Sequence, residues 1–273
     1  MENLYELQYP WLPVAETRRV VCCMCEGRNP SEEKIRFALN GRVFVISRCT
    51  VDDLMWLDPQ PGAAYCEALY SHPTYFEGTD DMYGMLVNDE KSSAIADIRI
   101  DEIKKYAPEA RTLFEVGAAH GHLLLAAKAK GFAIAKGVEF STEAVGAGRT
   151  KGADLAYADI NDFSLDPADG TYDVVCGYSV LEHLSNPRVF LGAVVPVIAP
   201  EGLLVMRVPI TPPTGPTLSL LDHFWHFTEM SLRAIIQASG LRVLDVFPSG
   251  TFKGIAHGGE LRSMTVVARR GGA

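Results

Sequence analysis

The chain has 273 residues, 48% of them hydrophobic, enough for one large domain with a sizeable core and a smaller module beside it. Its net charge is −9 and no Lys/Arg cluster is visible, which argues against nucleic acid as a partner, since a duplex-binding face needs clustered cations to displace counterions. No apolar run has the length of a spanning helix, and six cysteines with one adjacent pair do not form a secreted disulfide framework.

The N-terminus MENLYELQYPWLP lacks a basic segment leading into an apolar one, so a soluble cytoplasmic protein without membrane contact is expected. Cys22-Cys23-Met24-Cys25 is followed by Arg42-Val43-Phe44-Val45-Ile46-Ser47-Arg48, whose alternation reads as a strand. Then come Cys49-Thr50-Val51-Asp52 and the exit Asp58-Pro59-Gln60-Pro61. Cys22, Cys25, Cys49 and Asp52 offer three thiolates and a carboxylate, a set suited to Zn at ~2.3 Å from sulfur and ~2.0–2.2 Å from oxygen. The spacing resembles a zinc ribbon whose fourth ligand has become Asp. Cys23 is an alternative to Cys22, and a ribbon held by its hairpin without metal is the other reading. Residues 1–65 are therefore expected to form a small N-terminal module. Residues 66–96 form a helical, aromatic linker carrying Tyr75, Phe76 and Tyr83, readable as a lid or as a hydrophobic hinge.

A helix is predicted over 88–106, with Ile95, Ile98, Ile103 and Tyr106 as its apolar stripe and Pro108 as its stop. Next, the apolar run Leu113-Phe-Glu-Val enters Gly117-Ala-Ala-His-Gly121-His122, and 123–130 are good helix formers. Strand, glycine turn and helix let backbone N–H groups approach an anionic ligand at a helix N-terminus. A second strand beginning near Ala133 ends in Glu139, 22 residues after Gly117, where nucleotide-binding folds place a carboxylate on a ribose hydroxyl pair. Further strands are predicted from Asp154, Tyr172 and Gly202, a rhythm of βαβ units and a mostly parallel sheet. Asn186-Pro187 reads as an N-cap with Pro at the first helical position, and Pro196 should end that helix early. Residues 212–216 form a rigid Pro-rich loop. Thr228 caps a helix with Leu232, Ile235 and Ile236 inward and Gly240 at its close, before a strand pair at 241–247 and 263–270.

The segments LFEVGAAHGH, GVEFS, ADI at Asp159, YDVVCGYSVLEHLSNP and IAPEGLLVMRVP resemble, in order and spacing, the successive motifs of class I S-adenosylmethionine-dependent methyltransferases. The resemblance covers about 97–270, and Ala119 stands where the first motif usually has glycine. It implies a Rossmann-like, doubly wound α/β fold over 97–273, with a mostly parallel seven-stranded sheet whose last strand is antiparallel. Ribbon-like modules precede such domains in some sugar and natural-product methyltransferases, which usually carry four cysteines and a further C-terminal domain.

The same resemblance implies the site. Glu115, Gly117, Ala118 and Gly121 would surround the cofactor, Glu139 would accept from both ribose hydroxyls, and Asp159 with Ile160 and Phe140 would meet the adenine. Tyr178, Glu182 and His183 follow the fourth strand, where His183 is either a general base or a brace for the turn. In ubiquinone-pathway relatives a Glu-x-x-Glu-His motif binds a divalent metal; here Ser179 replaces its first Glu. Asp222-His-Phe-Trp-His-Phe-Thr228 places His223 and His226 at the same sheet edge, as a substrate wall or as an aromatic brace. Aromatic residues of the linker would attract a sulfonium. The expectation is methyl transfer from S-adenosylmethionine to oxygen, nitrogen or carbon of a small metabolite, with structural zinc as a possible second ligand. A nicotinamide oxidoreductase is disfavoured, because Gly117, Ala119 and His122 stand where Gly-x-Gly-x-x-Gly is wanted. A non-catalytic binding or assembly protein on the same fold is the alternative.

Overall fold

The computed structural model describes residues 5–72, 89–161, 165, 170–211, 222–253 and 260–271. The aromatic trio Tyr75, Phe76 and Tyr83 and the loop 212–216 lie outside the described residues. Strand β1 (Tyr5–Leu7) lies parallel to β3 (Ser31–Leu39), and β2 (Thr17–Arg18) pairs with β6 (Gln60–Pro61). Strands β3 and β4 (Arg42–Cys49) form a hairpin because Asn40 and Gly41 both take positive φ, 49° and 77°, as a tight two-residue turn between right-twisted strands demands. Next to β4 runs β5 (Met55–Asp58), followed by the helix Ala63–Tyr70.

The helix Asp89–Tyr106 forms where expected, but on a different face. Its buried stripe is Ala96, Ile100 and Ile103, whereas Ile95 and Ile98 are 38% and 59% exposed. The helix packs on the helix His122–Ala129, and the inward residues follow the i, i+4, i+7 spacing with a small alanine at close quarters. Reading by side-chain size passes over that alanine.

Seven strands make the large sheet, in the order β13-β14-β11-β10-β7-β8-β9. They are β7 (Thr112–Val116), β8 (Ile134–Glu139), β9 (Asp154–Tyr157), β10 (Tyr172–Tyr178), β11 (Ile198–Ile210), β13 (Leu241–Lys253) and β14 (Glu260–Arg270). From β11 to β9 all neighbours are parallel, and β14 runs antiparallel to both β11 and β13. The last two strands are longer than the sequence reading gives them, and the ladder between them reaches Lys253↔Glu260. The Asn186 side chain accepts the N–H groups of Arg188 and Val189 at the start of the helix Pro187–Val194, which tightens to a 3-10 turn at Val195–Val197 over Pro196. Thr228 and Ser231 form a reciprocal capping box at the head of Glu229–Ala238. Among the described residues no helix is long and apolar enough to cross a membrane.

A short strand, β12 (Trp225–His226), does not join the large sheet. It pairs antiparallel with β5, Trp225 opposite Trp56 and His226 opposite Met55, completing a five-stranded sheet β1-β3-β4-β5-β12. A segment from the second half of the chain thus finishes the sheet of the first, and the carbonyl of Phe224 accepts the Leu57 N–H at 2.9 Å.

Candidate cofactor and acceptor site

The turn after β7 has little room for side chains. Gly117 and Gly121 take φ of 68° and 71°, and a Cβ there would lie 2.8 Å from Val180 Cγ2 and 2.5 Å from Ala153 Cβ. Ala119 is also left-handed, at φ 46°, a conformation that costs a non-glycine residue about 1 kcal/mol. Its N–H is held by Glu139 Oε2 at 2.9 Å, while Glu139 Oε1 accepts from Ser141 N–H at 2.9 Å. The carboxylate at the end of β8 therefore ties the glycine turn to the head of the helix Thr142–Thr150. A carboxylate has about four acceptor positions, so two stay open for hydroxyl donors.

Glu115 is buried and its Oε2 has no hydrogen-bond partner among the described residues. Burial pushes its carboxyl up to about 8, partly offset by the Arg99 guanidinium. Phe140 is half-buried, 6.1 Å from the Tyr70 ring edge-on and 6.0 Å from Tyr157. Asp159 Oδ1 accepts the Asn161 N–H at 2.9 Å, and Asn161 Oδ1 in turn accepts from Ser185 N–H at 2.6 Å. Ile160, next to Asp159, is half-buried. Tyr70, which sequence reasoning missed, also meets His183 edge-on at 5.9 Å and so links Phe140 to the histidines. Its only signal was an aromatic residue ending the first helix.

At the carboxyl end of β10, Tyr178 is buried, with the Arg99 guanidinium 3.9 Å from its ring centre, and burial lifts its hydroxyl far above the ordinary range. Ser179 takes φ 59° and its Oγ accepts from Arg207 Nη1 at 3.1 Å. The residue standing in for the family's first Glu is thus committed to an arginine.

The turn Leu181–His183 is stitched to 222–228. Phe224 N–H donates to Glu182 O at 2.7 Å, Trp225 Nε1 to Leu184 O at 2.8 Å, and His183 Nδ1 to Asp222 O at 2.9 Å. That last bond makes Nδ1 the donor nitrogen of His183 and turns Nε2 toward Glu182, 3.8 Å away. Glu182 is buried with neither carboxylate oxygen hydrogen-bonded among the described residues, and burial raises it to about 7. Glu182, His183 and His223 offer ligand atoms all within 4.8 Å of one another. Burial lowers His223 to about 4 and His226 to about 3, so both are neutral imidazoles at physiological pH. His226, expected to touch substrate, is 2% exposed and packed in β12, its ring 6.0 Å from that of His223; the strand pairing with β5 turns it into the core. His183 is the most accessible of the three.

In the first module Cys22, Cys25, Cys49 and Asp52 converge, again with ligand atoms within 4.8 Å. Cys22 Sγ lies 3.3 Å from Asp52 Oδ2, and Asp52 Oδ1 holds the Leu54 N–H at 3.0 Å. Burial pushes the Cys22 and Cys49 thiols up; at Cys25 burial also pushes up, but hydrogen bonds from Asn29 N–H and the Cys22 thiol draw it down on balance. Cys23 lies outside this group.

A family model described as a methyltransferase domain matches residues 90–246. No curated protein matches the chain. Among solved structures, a SAM-dependent methyltransferase from Methanosarcina mazei is 14% identical over 63% of this chain and 98% of its own, with a TM-score of 0.50. The [4+2]-cyclase SpnF is 16% identical over 65% of this chain and 81% of its own, also at 0.50. DesVI from Streptomyces venezuelae is 17% identical over 66% and 92%, at 0.49. At such identities the likeness concerns the fold alone, and the cyclase shows that one fold carries more than one chemistry.

Proposed function

The chain belongs to the class I S-adenosylmethionine-dependent methyltransferases, and from that premise we propose that it methylates a small metabolite of sugar or natural-product type. The cofactor supplies an electrophilic methyl group on sulfonium, taken in line by oxygen, nitrogen or carbon. The observation that carries the reading is Glu139, whose two oxygens pin the Ala119 and Ser141 N–H groups beside a turn too tight for side chains at Gly117 and Gly121. Glu139 would receive the ribose hydroxyls, the orphaned Glu115 Oε2 the cofactor's ammonium, Ala118 the approach of the backbone, and Phe140, Asp159 and Ile160 the adenine.

On the acceptor side, His183 Nε2 is the group placed to hold a proton from a hydroxyl or acidic carbon, with Asp222 O orienting the ring. Tyr178, His223 and His226 shape the wall. Most of the rate would come from positioning, worth effective molarities of ~10⁵ M or more. We further propose that Cys22, Cys25, Cys49 and Asp52 hold one structural zinc, and that residues 1–65 act as a ribbon-like module before the domain. Six free cysteines suit a reducing compartment such as the cytoplasm.

Incubation with methyl-labelled cofactor and small polyhydroxylated or aromatic acceptors should give labelled product. Calorimetry should show micromolar S-adenosylhomocysteine binding. Tighter binding of NAD than of S-adenosylhomocysteine would overturn the assignment, and cofactor binding without any product from a broad acceptor panel would favour the binding-protein alternative.

A further inference from the structure

The face of the large sheet that carries Tyr178 also carries groups without partners. Arg207 pairs in register with Tyr178 on one side and with Thr265 on the other, and Ser263 lies two residues from Thr265, so these side chains share that face. Arg207 donates through Nε to Ser249 O at 3.2 Å and through Nη1 to Ser179 Oγ at 3.1 Å. From the covering helix, Arg99 places its guanidinium over Tyr178. Neither arginine forms an ion pair among the described residues, although Arg207 is largely buried; Glu115 attracts Arg99 and Glu182 attracts Arg207 without direct contact, while the two cations repel each other.

Three hydroxyls face the same lack. Ser249 Oγ, Ser263 Oγ and Thr265 Oγ1 are buried without a hydrogen-bond partner among the described residues, and Ser263 and Thr265 are 0% and 2% exposed. Two guanidiniums outside any ion pair among the described residues and the orphaned hydroxyls of Ser263 and Thr265 share one sheet face, and the carboxylates that attract the cations from nearby, Glu115 for Arg99 and Glu182 for Arg207, make no hydrogen bond to either. Buried cations and hydroxyls are ordinarily satisfied, and the forked guanidinium matches carboxylate and phosphate oxygens in pairs.

We propose that this face of β10, β11 and β14 seats an oxyanion, a carboxylate or a phosphate, belonging to the methyl acceptor, with Arg99 and Arg207 as its charged clamp. The proposal rests on the methyltransferase reading for the word acceptor and narrows the substrate to an acidic one. The methionine carboxylate of the cofactor has the same chemistry, and the test separates the two sources.

The full chain, saturated with S-adenosylhomocysteine, is titrated with inorganic phosphate and with benzoate at low ionic strength. Saturable binding of at least one probe is expected, weakened at least fivefold in Arg99→Met and tenfold in Arg207→Met, with Thr265→Val weakening it several-fold. S-adenosylhomocysteine affinity should stay within twofold throughout. Arg99→Met leaves the sheet untouched, so it decides the matter should Arg207→Met fail to fold. No saturable binding of either probe, or binding unchanged in Arg99→Met, overturns the proposal while leaving the methyltransferase reading intact. Loss of S-adenosylhomocysteine affinity in Arg99→Met with probe binding retained also overturns it, by giving the clamp to the cofactor. Absence of S-adenosylhomocysteine binding by the unaltered chain is the separate failure of the methyltransferase reading itself.

Discussion

Glu139 has two tasks that one substitution can separate. Its oxygens hold Ala119 and Ser141, and the same carboxylate is proposed to bind ribose. Glu139→Gln keeps one acceptor oxygen but loses the charge, so S-adenosylhomocysteine affinity should fall by about 1.5–3 kcal/mol, read by calorimetry, with the fold retained. Glu115 makes a pH prediction. Its folded-state value is about 8 against an ordinary 4.5, so the folded chain holds the proton more tightly than the unfolded one. Stability from this group is complete below about pH 4.5 and declines as pH rises toward 8, at up to about 1.4 kcal/mol per pH unit. Melting temperatures of Glu115→Gln should therefore fall less between pH 5 and 8 than those of the unaltered chain. A parallel decline in both would place the cause elsewhere. For His183, replacement by Ala should lower turnover of a hydroxyl or carbon acceptor by ~10²-fold with cofactor affinity unchanged. If turnover holds, the histidine is a brace for Asp222 O alone and an amine acceptor becomes the better reading.

Among elements, β12 is the short one with the longest reach. Two residues pair with β5 and so hang His226, with His223 three residues before it, on the sheet that also carries Cys49 at the end of β4. Metal at Cys22, Cys25, Cys49 and Asp52 would stiffen the turn that leads into β5, and by pairing would stiffen β12. Hydrogen exchange gives the check. Chelator treatment should raise exchange at the β4–β5 amides and at Trp225 and His226, while β7 and β8 keep their protection. About one zinc per chain is expected by elemental analysis. Protein free of metal, with exchange unaltered by chelator, would leave the ribbon without its ion.

For the whole molecule, the contacts between the two sheets predict joint unfolding. Leu57 N–H bonds to Phe224 O, Arg188 reaches the carbonyls of Cys23 and Met24, and Trp56 and Trp225 face each other across the β5–β12 pair. One apolar cluster runs from Leu12 and Phe37 through Trp225 to Val208 and Ile236. Scanning calorimetry should accordingly show one cooperative transition rather than two. Two separated transitions would mean that the cross-module contacts are too weak to couple the units.

Much of the large domain was legible from residues alone, because its signals are local. The turn Gly117 to Gly121 needs positive φ, Glu139 follows one strand later, Asn186-Pro187 and Thr228 cap their helices, and the strands predicted from Asp154 and Tyr172 start there, while the one predicted from Gly202 starts at Ile198. Each of these rests on backbone geometry or hydrogen bonds within a few positions. The convergence of the N-terminal cluster was legible too, since Cys-x-x-Cys and Cys-x-x-Asp on either side of a hairpin bring three thiols and a carboxylate within 4.8 Å of one another. What the tertiary structure decided involves partners distant in sequence. The inward face of Asp89–Tyr106 depends on the helix it meets, so Ala96 and Ile100 replaced Ile95 and Ile98. His226 is buried because β5 claims its strand, Tyr70 reaches His183 from the end of the helix Ala63–Tyr70, and Arg99, Arg207, Ser263 and Thr265 share a face only once β11 lies between β10 and β14. Local propensity carries no information about such pairings; burial and long-range strand register do.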